Sequence, residues 1–413
     1  MEEVKLRVLN LCLRAGSMGS KFIFIVFIAK YLTLYETGLY GLFASTVAFS
    51  MLLLGGEFYT YSQREILGAE KKKWGQLIKN QVSANGLLYL IILPLQLIVF
   101  ALGFLPYELL LLYFLLLVGE HIAQEINRLL ITFQRQLAAS FVLFFRLGAW
   151  CWVSIGLFLY SEEYQSISTV LWCWLFGTMT AILIGFYYVR QEVPSGLRGP
   201  IKIEWIKKGY KVALKFLLAT LGYKAIMTFD RYAIEVIGGE ELLAVYVVYI
   251  SLAMAINSVL VPTVFSFVYP KLVAAFKKNQ LAEYRKYVRE LLVSVLTIGG
   301  GVALLIGLSA PFTFELIDKE VYKEHIFYLW LLLLMSFLYS LSMVPHYVLY
   351  AKGRDSKVLF SHLAGLIVFL AGGGVSYMTK NVDYIFYTLI LSMASLGLCK
   401  LYFGLQPIKE LKN

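Results

Sequence analysis

Apolar residues run on for about 20 positions at a time along this chain, the length an α-helix needs to cross the hydrocarbon core of a bilayer. Runs of this kind fall at residues 9–32, 38–61, 76–102, 107–133, 137–160 and 166–190. A second set follows at 211–236, 241–268, 288–308, 324–350, 358–378 and 383–405. The pattern is continuous, whereas a membrane β-barrel would alternate polarity over roughly ten-residue strands. It predicts an all-α membrane protein of about twelve transmembrane helices. Pro94 and Pro262 fall inside the third and eighth runs, where a missing N–H and a ring clash should kink the helix. The polar stretch "QEVPSGLRGPIKIEW" separates the two sets of six. It divides the chain into an N-terminal six-helix bundle (1–190), a linker expected at the cytoplasmic face (191–210) and a C-terminal six-helix bundle (211–413).

Composition strengthens the membrane reading: 60% of residues are hydrophobic, 15% are charged, and the mean hydropathy is +0.73. The formal net charge of +11 need not imply nucleic acid, because its distribution follows the alternation of loops. With the N-terminus inside, the cytoplasmic segments and their flanks hold 25 Lys and Arg, in clusters at 64–79, 190–211 and 271–290 and in smaller groups elsewhere. The opposite loops hold only Lys319, Lys323 and Lys380. This bias places both termini in the cytoplasm, and the expected location is a bacterial cytoplasmic (inner) membrane. No small-residue cleavage site follows a short apolar core at the N-terminus, so the first span is expected to stay as an anchor. Cys12, Cys151, Cys173 and Cys399 all lie in spans, with neither zinc spacing nor a disulfide pattern. No GxxxxGK[ST] phosphate loop occurs. No catalytic residue, metal or organic cofactor is expected.

The two halves echo each other. "VLFFRLGA" from Val142 pairs with "VLFSHLAG" from Val358, each opening the fifth helix of its half, and Arg146 falls opposite His362. A fainter pair is "YETGLYGLF" after the first span and "GEELLAVYVVY" after the seventh. Two repeats of six helices keep the same membrane orientation, related by an axis along the membrane normal.

Against this apolar background the intramembrane charges stand out, since a cation at a span centre costs at least about 2.5–3.5 kcal/mol on insertion scales. In "LRAGSMGSKFIFIVFIAKYL", Arg14 and Lys21 lie seven apart on one helical face. In "KFLLATLGYKAIMTFDRYAIE", Lys224 and Arg231 repeat that spacing on the equivalent helix of the second half. Arg128 and Arg146 add two further cations. The intramembrane acids are Glu57, Glu120, Glu125, Asp230 and Glu235. Lys30, Lys215 and Lys400 lie nearer the span ends, where a long side chain reaches the interface. Glu125 and Arg128, three apart, have the spacing of a self-neutralising pair. His121 and His346 read as polar packing residues. Cations from several helices, few acids and no nucleotide loop point to a carrier for an anionic substrate. If an ion drives it, H+ or Na+ is the candidate and Glu57 or Asp230 the candidate carrier.

The opening "GSMGSKFIFIVFIAKYLTLYETGLYGLFAS", followed by "FYTYSQREIL", resembles Wzx-type O-antigen and polysaccharide flippases. These belong to the multidrug/oligosaccharidyl-lipid/polysaccharide exporter superfamily. "DRYAIEVIGGEELLAVYVV" resembles the family's Asp-Arg stretch in span seven, although "GLY" of the first half has become "AVY" in the second. The resemblance implies a MATE-like pair of bundles around a central cavity that opens alternately to each side. It implies an undecaprenyl-diphosphate-linked oligosaccharide as substrate, moved to the periplasmic leaflet. Membrane lipids and a polymerase and chain-length regulator of the same pathway are the implied partners. Arg14, Lys21, Lys224, Arg231, Arg128 and Arg146 would then hold the diphosphate or glycan. Two rival readings are a MATE-type drug or ion antiporter, which should favour acids in its cavity, and an O-antigen polymerase. The latter should carry a large periplasmic loop, and no external loop here exceeds about ten residues.

Overall fold

The computed structural model describes residues 2–193 and 196–406, which are helical almost throughout, with no strand among them. Eleven helical stretches are long and apolar enough to cross a membrane. They are α1 (Cys12–Tyr31, the apolar part of a helix that begins at Glu2), α2 (Leu34–Gly55), α3 (Lys71–Ala101), α4 (Tyr107–Thr132), α5 (Gln136–Tyr160) and α6 (Ile167–Glu192). Then come α7 (Ile203–Lys277), α8 (Leu281–Ile317), α9 (Ile326–Ala351), α10 (Asp355–Thr379) and α11 (Asp383–Leu405). At about 1.5 Å per residue α7 is several times longer than a bilayer core is thick. Gly239 breaks it, with φ 77° and ψ −178°, a conformation open to glycine because it has no Cβ. The seventh and eighth predicted spans lie on either side of that break, so eleven stretches accommodate about twelve crossings.

Local chemistry sets the helix ends. Thr33 caps α2 through a reciprocal box: its Oγ1 accepts from Glu36 N at 3.2 Å, and Glu36 Oε2 accepts from Thr33 N at 3.2 Å. The other oxygen of Glu36 accepts from Ile167 N at 3.0 Å, at the start of α6. One carboxylate therefore serves the positive ends of two helices. α2 stops at Gly55 because Gly56 turns left-handed at φ 53°. The second run was expected to continue to residue 61; instead Glu57 lies in the turn, and a short helix, Tyr59–Leu67, follows. Pro94 lies one residue before the end of a helical segment at Leu95, and the chain re-enters helix at Leu97. Pro262 sits in a π-helical turn, Val261–Phe265, where the missing N–H widens the ladder. Two more π-turns, Phe145–Ala149 and Val295–Gly299, interrupt α5 and α8.

The chain divides into two compact units, Met1–Leu218 and Ala219–Asn413. In the first, Ala123, Leu130, Ala139, Val142 and Ala181 join α4, α5 and α6. Small residues let these helices approach closely: a Cβ added to Gly148 of α5 would lie 3.0 Å from Ser17 Cα of α1. Ile206, at the start of α7, packs with Phe58, Tyr61 and Ala84. Helix thus begins at Ile203, inside the stretch expected to be a linker. In the second unit Tyr328 of α9 stacks on Phe386 of α11 with centroids 4.0 Å apart. Large apolar side chains such as Leu90, Leu183, Leu308 and Met378 are exposed, as lipid-facing positions should be.

Candidate functional site

The sequence puts six cations and two acids forward, and the structure sorts them by what neutralises them. Arg146 sits in the π-turn of α5 and is buried. Its Nε donates to Glu120 Oε2 of α4 at 2.7 Å. Glu120 Oε1 accepts from Trp174 Nε1 at 2.9 Å and Thr178 Oγ1 at 2.8 Å, both on α6. Trp150 stacks on Trp174, and Phe24 of α1 meets Trp150 edge-on, closing the cluster with apolar surface. Each oxygen of the carboxylate thus has a donor, and the pair pins α4, α5 and α6 together.

Arg128 is neutralised too. Its Nη1 lies 2.5 Å from Glu125 Oε1, one helical turn away, and its guanidinium covers the Tyr59 ring at 3.5 Å. Glu125 also accepts from Gln81, which in turn accepts from Ser62 at 2.8 Å. In the second unit Arg231 donates from Nη1 to Asp230 Oδ1 at 2.9 Å and to Met227 O at 2.7 Å. Asp230 is fully buried, and its Oδ2 accepts from Tyr246 Oη at 2.6 Å. Three of the six cations are therefore paired within their own units, each to an acid also visible in the sequence.

Arg14 and Lys21 differ. Among the described residues Arg14 donates to neutral oxygens: Ser140 Oγ at 3.0 Å and Gln136 Oε1 at 3.4 Å, both on α5. Lys21, midway along α1, is exposed. It makes no hydrogen bond or ion pair among the described residues, and it lies within electrostatic range of Cys151, Glu120 and Arg146. Ser17 and Ser20, between these cations in sequence, are buried close to Gly148 of α5, their hydroxyls donating to the carbonyls of Leu13 and Gly16. Lys224, on the equivalent helix of the second unit, is likewise exposed.

The two candidate ion carriers have distinct settings. Asp230 is held by the partners just described. Glu57 lies outside the apolar stretches, half-buried with φ 56°, in hydrogen-bonding contact with Tyr59. Burial first, and the neighbouring Glu57 carboxylate as well, raise the Tyr59 phenol above its ordinary pKa; Arg128 opposes them.

Among the other polar groups, Lys400 departs from the sequence reading. Lys30 and Lys215 are exposed, but Lys400, expected to reach the interface, is completely buried. Gly397 and Gly404 flank it and let α9 come close, which is the signal that sequence reading passed over. His121 receives or gives a hydrogen bond at Nδ1 with Tyr89 Oη at 2.7 Å. It lines a cavity of 680 Å³ in the first unit with Tyr89, Glu125 and Arg190 amid apolar side chains. Among the described residues no cluster of three or more His, Cys, Asp or Glu could hold a metal ion.

Residues 10–276 match the model of a family described as polysaccharide biosynthesis protein. Among solved structures, the chain is similar to the inward-facing conformation of a multidrug resistance MATE family transporter of the MOP superfamily. The TM-score is 0.75 at 16% identity, over 96% of this chain and 97% of that one. It is also similar to a MOP superfamily transporter from Pyrococcus furiosus, reported with a binding pocket of reverse polarity that suggests a different function. There the TM-score is 0.63 at 16% identity, over 97% and 94% of the two chains. A search of curated proteins found no match. The fold is MATE-like, and the chain belongs to the polysaccharide biosynthesis protein family as a multi-pass membrane protein.

Proposed function

We propose that this member of the polysaccharide biosynthesis protein family is a flippase. It carries an undecaprenyl-diphosphate-linked oligosaccharide from the cytoplasmic to the periplasmic leaflet by alternating access. The observation that carries this reading is the contrast between Lys21 and the arginines. Arg128, Arg146 and Arg231 each have a carboxylate within 2.9 Å. Lys21 stands exposed halfway along a membrane helix with no ion pair among the described residues. An unneutralised ammonium at that depth is costly unless water or an anionic ligand meets it.

A diphosphate crossing the low-dielectric middle of a bilayer needs such a partner, because fixed cations stabilise it there far more than in water. Lysine suits a moving phosphate as a point charge, whereas arginine holds oxygens in a fixed fork. Arg14, bound to neutral oxygens among the described residues, supplies a second cation on the same face, and Lys224 supplies one on the corresponding helix of the second unit. An exporter of organic cations would be expected to leave carboxylates uncompensated. Glu120, Glu125 and Asp230 are instead bound to arginines, and Glu235, with one buried oxygen that has no hydrogen-bond partner among the described residues, is the exception.

Complementation of polymer display in a flippase-null strain tests the reading, with protein levels measured alongside. Lys21→Ala should abolish display at normal membrane levels. The loss of one charged hydrogen bond weakens anion binding roughly ten- to hundredfold. Lys21→Arg should keep more activity than Lys21→Ala, and Lys30→Ala, near the end of the span, should be mild. Normal polymer from Lys21→Ala at normal expression overturns the cationic-site mechanism.

A further inference from the structure

Three basic side chains lie near one another in the second unit, with no acid beside them among the described residues. Lys400 of α11 has no exposed surface, and its Nζ has no hydrogen-bond partner. His346 of α9 and His362 of α10 lie within its electrostatic range, their rings near-parallel with centroids 6.3 Å apart. The Nδ1 of His346 is buried and also without a partner. The Nδ1 of His362 donates to the carbonyl of Ala219 at 2.5 Å. A carbonyl only accepts, so that nitrogen carries its hydrogen.

Among the described residues the surroundings supply no counter-charge. On α9, Tyr347 lies edge-on to His346 at 5.6 Å. On α7, Tyr223 contacts the His362 ring at 6.2 Å and stacks on Tyr339 of α9 at 4.4 Å. The acid beyond Tyr223 is Asp230, already bound to Arg231 and Tyr246. At the helix ends, Lys352 and Arg354 donate to the carbonyls of Gly404 and Phe403. Close packing encloses the site. A Cβ on Gly397 would lie 3.3 Å from Ser342 Cβ of α9, and one on Gly365 would lie 3.1 Å from Ser392 O of α11.

We propose that Lys400, His346 and His362 form a conformation-linked proton site, in which the lysine amine is uncharged while α9, α10 and α11 are packed and takes its proton when they part. A buried ammonium with neither counter-ion nor acceptor is strongly disfavoured. The amine lone pair is the natural acceptor of a proton from water once water can reach it. Such a site ties protonation to the opening of this unit, whatever the protein carries. It is separate from Glu57 and Asp230.

The test uses the full-length protein in detergent and follows its unfolding equilibrium against pH. If Lys400 is uncharged when folded and charged when unfolded, the unfolded state binds one more proton, and stability rises with pH. Between about pH 8 and pH 10, below the ordinary lysine range, the unfolding constant should fall up to tenfold per pH unit. Lys400→Met keeps the bulk and removes the amine, so it should fold at least as well and show a slope shallower by about one proton. Asp230→Asn should retain the native slope. An unchanged slope in Lys400→Met overturns the proposal. So does a Lys400→Arg protein as stable as the native one, because arginine stays charged and the site would then tolerate a fixed cation.

Discussion

Glu120 and Arg146 lie 26 positions apart in sequence, and in the folded first unit they share a buried hydrogen bond. That separation decided what could be read in advance. Glu125 and Arg128 sit one turn apart, so their pairing was legible from spacing alone. Arg146 looked as available as Lys21, because only the packing of α4 against α5 brings Glu120 to it. Removing one member of such a buried pair costs about 3–5 kcal/mol, since it strands the other charge. Glu120→Ala should therefore unfold in detergent at a markedly lower temperature than the native protein. Glu120→Leu with Arg146→Met should recover most of the loss, because nothing charged is then left buried. Lys21→Ala should leave the midpoint near its native value. If Glu120→Ala melts like the native protein, the pair is not holding α4, α5 and α6 together.

Helix existence followed from the apolar runs, and two of the interruptions followed from proline. Those at Pro94 and Pro262 were expected. The π-turn at Phe145–Ala149 contains no proline, and nothing in "FRLGA" announces it. The end of α2 was hidden for a different reason. "LLLGGEFYTY" remains apolar past the Gly55–Gly56 pair, so hydropathy carried the span onward, while the left-handed Gly56 turned the chain. Glycines also separate close contacts from open faces on α10. A Cβ on Gly372 would lie 2.1 Å from Thr388 Oγ1 of α11, whereas one on Gly373 would meet nothing within 4 Å. Overpacking a tight contact typically costs about 1–3 kcal/mol. Gly372→Ala should lower the unfolding midpoint in detergent, and Gly373→Ala should not. Equal midpoints for the two variants would mean that α10 and α11 do not meet along this face.

At the scale of the molecule the charge bias assigns sides of the membrane, and contacts within each unit tell which helix ends share a side. Glu36 binds the starts of both α2 and α6, so these lie together at one end of the first unit. Glu192 at the close of α6 holds Lys71, at the start of α3, and Arg135, just before α5. Those three ends therefore share the other side, the one rich in Lys and Arg. The second unit repeats the arrangement. Tyr328 donates to Asp383 at 2.5 Å, joining the starts of α9 and α11. Lys352 and Arg354, between α9 and α10, reach back to the end of α11. Since basic loops stay inside, the Lys71–Arg135–Glu192 end and the Lys352–Arg354 end should both face the cytoplasm, and the C-terminus with them. Reporter fusions check each side independently. A fusion at Glu162 should report the periplasm, and fusions at Lys278 and after Gln406 should report the cytoplasm. A cytoplasmic signal at Glu162 with a periplasmic one at Lys278 would invert the topology. With it, the proposed flippase would face the wrong way to collect a substrate made in the cytoplasm.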